Sequence, residues 1–173
     1  MNYYLLALII ALIIIVILYY NKFVSIRNKI EEAWSSIDFQ INRKYELIET
    51  LTEITGDFSE EEKLYLNQIS ELKHIDIDVN EMSKQSENQQ NINAELKKLF
   101  TTAETNPKLK SNQNFIEFQK KISQIEDETQ KSIRYYNALV RDKNSMIEKF
   151  PNNIFAKIFN VYLSDYFNMQ VSH

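Results

Sequence analysis

The sequence predicts an all-α protein: an N-terminal transmembrane helix continuing into an antiparallel four-helix bundle, closed by a short C-terminal amphipathic segment. Three observations carry this. An uncharged, mostly apolar run opens the 173-residue chain. One glycine and two prolines leave the backbone few places to turn. Beyond the run, apolar residues recur at steps of three and four, the stripe of an amphipathic helix. The organisation expected is an anchor over 1–21, a helical bundle over 22–150 and an aromatic tail near the membrane over 151–173.

The run comprises Tyr3, Tyr4, Leu5, Leu6, Ala7, Leu8, Ile9, Ile10, Ala11, Leu12, Ile13, Ile14, Ile15, Val16, Ile17, Leu18, Tyr19 and Tyr20. Roughly 18 consecutive apolar residues suffice to cross the hydrocarbon core as a helix. The tyrosine pairs at its two ends suit the headgroup layer, where an amphipathic ring has both an apolar and a wet neighbour. A retained anchor is favoured over a cleaved signal peptide, because no Lys or Arg precedes the run and Tyr19-Tyr20-Asn21-Lys22 offers no small-x-small cleavage site. Lys22, Arg27 and Lys29 follow it closely. By the positive-inside bias they place the bulk of the chain in the cytoplasm.

Helix one is expected to run on without a break through Phe23, Ile26, Ile30, Ala33/Trp34, Ile37, Ile41, Tyr45, Ile48, Leu51 and Ile54, ending at Gly56, a residue suited to a left-handed cap. Ser59-Glu-Glu-Glu62 reads as a capping box opening helix two, with Tyr65, Ile69, Leu72 and Ile75 inward. The polar stretch 76–93 fits a loop, a solvated helix or a mixture. Ile92, Leu96, Leu99 and Ala103 mark helix three, stopped at Asn106-Pro107 because a residue before proline is pushed out of helical geometry. Helix four carries the clearest pattern: Phe115, Phe118, Ile122, Ile125, Thr129, Ile133, Tyr136, Val140, Lys143, Ile147 and Phe150, up to Pro151.

Short connections between four helices favour an antiparallel bundle. Helix four, roughly 58 Å at 1.5 Å per residue, then returns to the membrane. The tail after it offers Ile154, Phe155, Ile158, Phe159, Tyr162 and Tyr166 as a helical apolar face. Two roles fit that face equally, an interfacial helix touching lipid or a cap packed on the bundle end.

Composition excludes several chemistries. With no cysteine there is no disulfide and no thiolate site. The single glycine rules out phosphate-cradling glycine loops and the G-x-S-x-G elbow. A net charge of −4 leaves no nucleic-acid footprint. Glu71-Leu-Lys-His74 has the E-x-x-H spacing of di-iron bundles, but such a site takes two such pairs, and the only other histidine is His173. Asp76-Ile-Asp78 and Glu60-Glu61-Glu62 are acids at helix ends without an EF-hand pattern. No cofactor, metal or catalytic activity is expected. Trp34, Asp38, Arg43, Tyr136 and Asn137 stand out as residues that fix helix register or meet a partner, with Phe150 and Pro151 at the end of the bundle.

Several segments, in order, resemble the bacterial LemA family: Ile30-Glu-Glu-Ala-Trp-Ser-Ser-Ile-Asp-Phe-Gln40 with Arg43 and Leu47-Ile48; Asn106-Pro-Lys-Leu-Lys-Ser-Asn-Gln-Asn-Phe115 with Gln119 and Glu126; Tyr135-Tyr-Asn-Ala-Leu-Val140; Ile147-Glu-Lys-Phe-Pro-Asn152; and Tyr166-Phe167. The resemblance spans roughly Phe23 to Phe167. It implies one membrane helix, an antiparallel helical bundle with its bulk in the cytoplasm, and neither enzyme activity nor cofactor. Two departures stand out: Glu49 replaces the proline usual after Leu-Ile, and Asn160 replaces a glycine in the tail. The expected role is a non-catalytic protein-binding or scaffolding module at the inner cell membrane, with the bilayer and a protein as partners. The alternative is a structural membrane protein that self-associates. The run lacks G-x-x-x-G, which weakens tight dimerisation through the anchor.

Overall fold

The computed structural model describes residues 2–51, 58–73 and 82–168. They form α1 (Asn2–Glu49), α2 (Glu60–Lys73), α3 (Met82–Ala103), α4 (Pro107–Lys110), α5 (Gln113–Glu148) and α6 (Asn152–Ile158), with no strand among the described residues. The all-helical class expected from the scarcity of turn residues is what forms. The chain divides into two compact units, one of Met1–Ser35 with Arg134–Tyr166, the other of Ser36–Ile133 with Phe167–His173.

In the first unit, α1 is unbroken from the apolar run onward, as the continuous stripe predicts. Every residue from Tyr3 to Leu18 is exposed, then burial begins at Phe23 and recurs at Ile30 and Ala33. This is one helix long and apolar enough to cross a membrane, and its apolar window is 0% buried. A core helix of a soluble domain would bury that window. The same unit buries Tyr136 and Val140 of α5 and Ala156 of α6.

Helix α6 is short because its end is built in. Asn160 takes a left-handed conformation, φ 53°. The Val161 N–H reaches back to Ala156 O at 2.8 Å and the Asn160 N–H to Lys157 O at 3.3 Å, the paired bonds of a Schellman cap. Tyr162 and Tyr166 therefore lie beyond the helix in non-helical chain. This corrects the expected helical face, which holds only through Ile158. Phe150, placed on the inward stripe by its spacing, is 80% exposed, since α5 has already ended at Glu148.

In the second unit, Ile48, Leu51, Phe58, Ile69, Ile92, Leu96, Leu99, Ala103, Leu109, Phe115, Phe118 and Ile122 form one buried cluster. Burying a large apolar side chain fully contributes about 1.5–3 kcal/mol of transfer free energy. The rings meet edge to face, Phe58 on Phe115 at 5.9 Å and Phe100 on Phe118 at 5.9 Å, the arrangement that brings a ring's positive edge to its neighbour's negative face.

The expected capping box of α2 forms in both directions. Ser59 N–H donates to Glu62 Oε2 at 2.6 Å, and Glu62 N–H to Ser59 Oγ at 3.4 Å. The buried Glu62 carboxylate also accepts Asn106 Nδ2 at 2.9 Å. Asn106 in turn caps the single-turn α4, accepting Lys108 N–H at 3.1 Å with Pro107 in the first turn. That turn escaped the sequence reading, since one turn is too short for a periodic stripe. Asn112 then caps α5 through Oδ1, which accepts the N–H groups of Asn114 and Phe115.

Helix α3 starts at Met82, resolving the open reading of 82–93 in favour of helix. α1 ends at Glu49, followed by a tighter turn through Thr50 and Leu51. Ile54 of the expected stripe and Gly56, the expected cap, lie outside the described residues, as do His74, Ile75, Asp76, Asp78 and His173.

Candidate functional site

In the first unit the tail closes against α1 where the apolar run ends. Tyr19 stacks on Phe155 with centroids 4.2 Å apart and planes 9° apart. Phe159 lies edge-on to Tyr20 at 5.4 Å and to Phe23 at 6.3 Å, and Phe155 stacks on Phe159. The four-residue spacing of Phe155 and Phe159 places both on one side of α6. Ile154 and Ile158, one residue earlier in each turn, remain exposed, as do Phe150, Tyr162, Leu163 and Tyr166. Of the residues expected to give the tail its apolar face, two form a ring collar on α1 and the rest face outward. Pro151 is half-buried at the head of α6.

The chain after α6 is strapped to α5. Ser164 N–H donates to Asn144 Oδ1 and Asn144 Nδ2 donates to Ser164 O, both at 2.9 Å. Lys143 Nζ donates to Ser164 Oγ at 2.5 Å, and burial lowers the Lys143 pKa. Tyr136 Oη donates to Asp165 O at 3.3 Å. Burial, with the Asp165 carboxylate adding to it, pushes the Tyr136 phenol up to about 12. Trp34 meets the Tyr136 ring edge to face at 6.1 Å. The sequence singled out both, and the structure brings them together. Asn137 beside them is half-buried.

In the second unit, the polar site is one the stripe hid. Lys44 has no exposed surface. Its Nζ donates to Glu126 Oε1 at 2.9 Å and Asn93 Oδ1 at 3.0 Å, while Asn93 Nδ2 donates to Glu126 Oε2 at 3.0 Å. Burial lowers the Lys44 pKa, opposed by the attraction of Glu126. The inward register of α1 runs Ile37, Ile41, Lys44 and Ile48, continued by Leu51 in the turn after it, whereas the apolar pattern had placed Tyr45 on it. Tyr45 is half-buried, takes a hydrogen bond from Gln89 Nε2 at 2.6 Å, and has its phenol pKa raised by burial. A lysine at a strict three-four step between isoleucines was the available signal.

Arg43, singled out for a partner on another helix, has one: its Nη1 lies 2.8 Å from Glu128 Oε2, and its guanidinium sits 5.8 Å from the Phe39 ring. Asp38 instead accepts from Asn42 on its own helix at 3.2 Å. Asn93 and Glu126 also line a cleft of about 720 Å³ between α3 and α5, with Leu96, Phe100 and Ile122 as its apolar floor. Among the described residues no group of three or more His, Cys, Asp or Glu is placed to hold a metal. Glu71 is exposed on α2.

The sequence model of a family described as the LemA family matches residues 33–173. The chain belongs to the LemA family. Among curated proteins, none matches the chain. The LemA match begins at Ala33, so the apolar run precedes the matched part. Within it falls all but the start, Ile30 to Glu32, of the segments that carried the resemblance: the buried Ala33 and Ile37, the Asn106–Pro107 cap, the Glu126 carboxylate and the buried Phe167. The departure from the LemA pattern at Asn160 has a geometric reading, since that residue holds the left-handed position a glycine would take without strain.

Proposed function

We propose that this LemA-family chain is a single-pass protein of the bacterial inner membrane, whose first helix anchors an antiparallel helical bundle with its bulk in the cytoplasm, and that it acts as a non-catalytic protein-binding or scaffolding module. The carrying observation is the switch on one unbroken helix from exposure of every residue of Tyr3–Leu18 to a buried stripe that starts at Phe23. Exposed aliphatic side chains over that length are stable in hydrocarbon and unfavourable in water. The antiparallel arrangement is supported by the register of α1 against α5: Ser36 meets Ser132, Arg43 meets Glu128 and Lys44 meets Glu126. The partner number falls as the α1 number rises.

The cleft between α3 and α5 supports the binding role. Its apolar floor is walled by Gln90, Asn93, Gln119 and Gln130 together with the charged Lys97, Glu104, Glu126 and Asp127, a surface able to take a partner's apolar side chains beside polar and basic ones. Site-specific photo-cross-linking from Gln119 and Gln130 in native membranes tests this. A distinct heterologous adduct is expected. Adducts only at multiples of the chain's own mass would replace scaffolding by self-assembly.

A further inference from the structure

We propose that the outward face of the segment from Phe150 to Tyr166 is a second membrane contact, seated at the boundary between headgroups and acyl chains beside the anchor. The inference rests on the reading of Tyr3–Tyr20 as a membrane span and adds an occupant for a surface which that reading leaves bare.

The geometry supplies the level. Tyr19 and Tyr20 end the apolar run, where amphipathic rings sit in the headgroup layer. The Phe155 ring is 4.2 Å from Tyr19 and the Phe159 ring 5.4 Å from Tyr20. A segment stacked on those tyrosines lies within one ring thickness of the lipid that surrounds them. The flank beside those rings carries Ile154 and Ile158, 63% exposed at the latter, followed by Tyr162 and Leu163. Ile17 and Leu18, at the end of the apolar run on α1, are exposed as well.

The chemistry supplies the occupant. A contiguous exposed apolar patch marks an interaction surface, and one held at the mouth of a membrane span meets lipid before it meets anything else. Lys149 precedes the segment and Lys157 lies within it beside one acid, Asp165, while Lys22 and Lys29 follow the span on α1, all exposed. Cations beside buried aliphatic and aromatic groups are the composition of an interfacial anchor on anionic lipid. The straps from Asn144, Lys143 and Tyr136 hold residues 164 and 165, so the apolar face is presented by an ordered segment.

The test uses the full chain, whose lack of cysteine permits single nitroxide labels. Leu12→Cys, Ile158→Cys and Lys120→Cys are labelled separately and reconstituted in vesicles of phosphatidylethanolamine and phosphatidylglycerol. Power saturation then compares access of oxygen, which concentrates in lipid, with access of a water-soluble nickel chelate. The expected result is an oxygen-to-nickel ratio at Ile158 several-fold above that at Lys120 and below that at Leu12. Lipid access at Leu12 with water access at Ile158 would overturn this proposal and leave the anchor standing. Water access at Leu12 would overturn both. Exclusion of both reagents at Ile158 would mean that a second copy covers the face, and would also overturn it. Ile154→Cys repeats the reading independently should the label at Ile158 disturb α6.

Discussion

Lys44 Nζ lies 2.9 Å from Glu126 Oε1, joining a lysine with no exposed surface to a carboxylate that is 23% exposed. The pair is closed by Asn93, which binds both partners. Removing one member of such a pair leaves the other charge buried and uncompensated, which costs far more than the pair itself is worth. Glu126→Ala is therefore expected to destabilise by about 3 kcal/mol, the low end of the usual range because the carboxylate keeps some solvent. Lys44→Met fills the same volume but strands the Glu126 carboxylate; since that carboxylate keeps some solvent, the expected cost is about 1–3 kcal/mol. The double variant Lys44→Met, Glu126→Leu should recover most of the loss. Thermal unfolding followed by circular dichroism in micelles checks this, with about 2–4 °C of midpoint per kcal/mol for a chain of this size.

The left-handed residue at the end of α6 gives a second prediction. Asparagine tolerates this conformation better than other residues with a Cβ, and β-branched side chains least. Asn160→Val is expected to cost about 1–2 kcal/mol locally, while Asn160→Gly should be neutral or slightly stabilising. Hydrogen exchange of the Val161 amide, which donates to Ala156 O, reads the cap directly. Unchanged protection in Asn160→Val would refute the argument.

The contrast between these two sites shows what a sequence pattern can carry. Phe115, Phe118, Ile122, Ile125 and Ile133 are all buried because a long amphipathic helix has one economical way to hide its stripe. The Ser59–Glu62 box was equally readable, being a local motif with local bonds. Lys44 was not, since a charged residue is assigned outward unless its partner is known, and Glu126 lies 82 residues away. The polar start of α3 hid for the same reason. Asn88 and Gln89 are buried because their amides reach Leu72 O and Tyr45 Oη, contacts that only the tertiary fold supplies. The inward turn of Phe155 and Phe159 and the outward turn of Ile154 and Ile158 were likewise undetermined until α6 had a helix to pack on.

The α2 capping box couples two helix starts. Glu62 accepts the Ser59 N–H and both hydrogen bonds from Asn106 Nδ2, at 2.9 and 3.2 Å. Ser59→Ala removes one capping oxygen and is expected to cost about 1 kcal/mol. Glu62→Ala removes the acceptor for both residues from a buried position, and is expected to cost about 2–3 kcal/mol. Asn106→Ala on the Glu62→Ala background should then add less than it does alone, because the shared bonds are already gone. Simple additivity, measured from the four unfolding midpoints, would show that Glu62 and Asn106 act separately.

Tyr136 sets the alkaline limit of the tail strap. Its phenol is pushed up to about 12 from an ordinary value of 10. Below pH 10 both the folded and unfolded chains keep the proton, so the group leaves stability independent of pH. Between pH 10 and 12 the unfolded chain releases the proton while the folded chain holds it, so stability falls as pH rises. The loss attributable to this residue is on the order of 2 kcal/mol by pH 12. Tyr136→Phe gives up the hydrogen bond to Asp165 O, about 1 kcal/mol at neutral pH, and in exchange loses that alkaline slope. Tyr45, raised in the same direction, and Lys44 and Lys143, lowered, titrate in both proteins. The difference between wild type and Tyr136→Phe therefore isolates the one phenol. Unfolding midpoints recorded from pH 8 to 12 should start lower for the variant and converge with wild type, or cross it, above pH 10; parallel curves would remove Tyr136 as the titrating group.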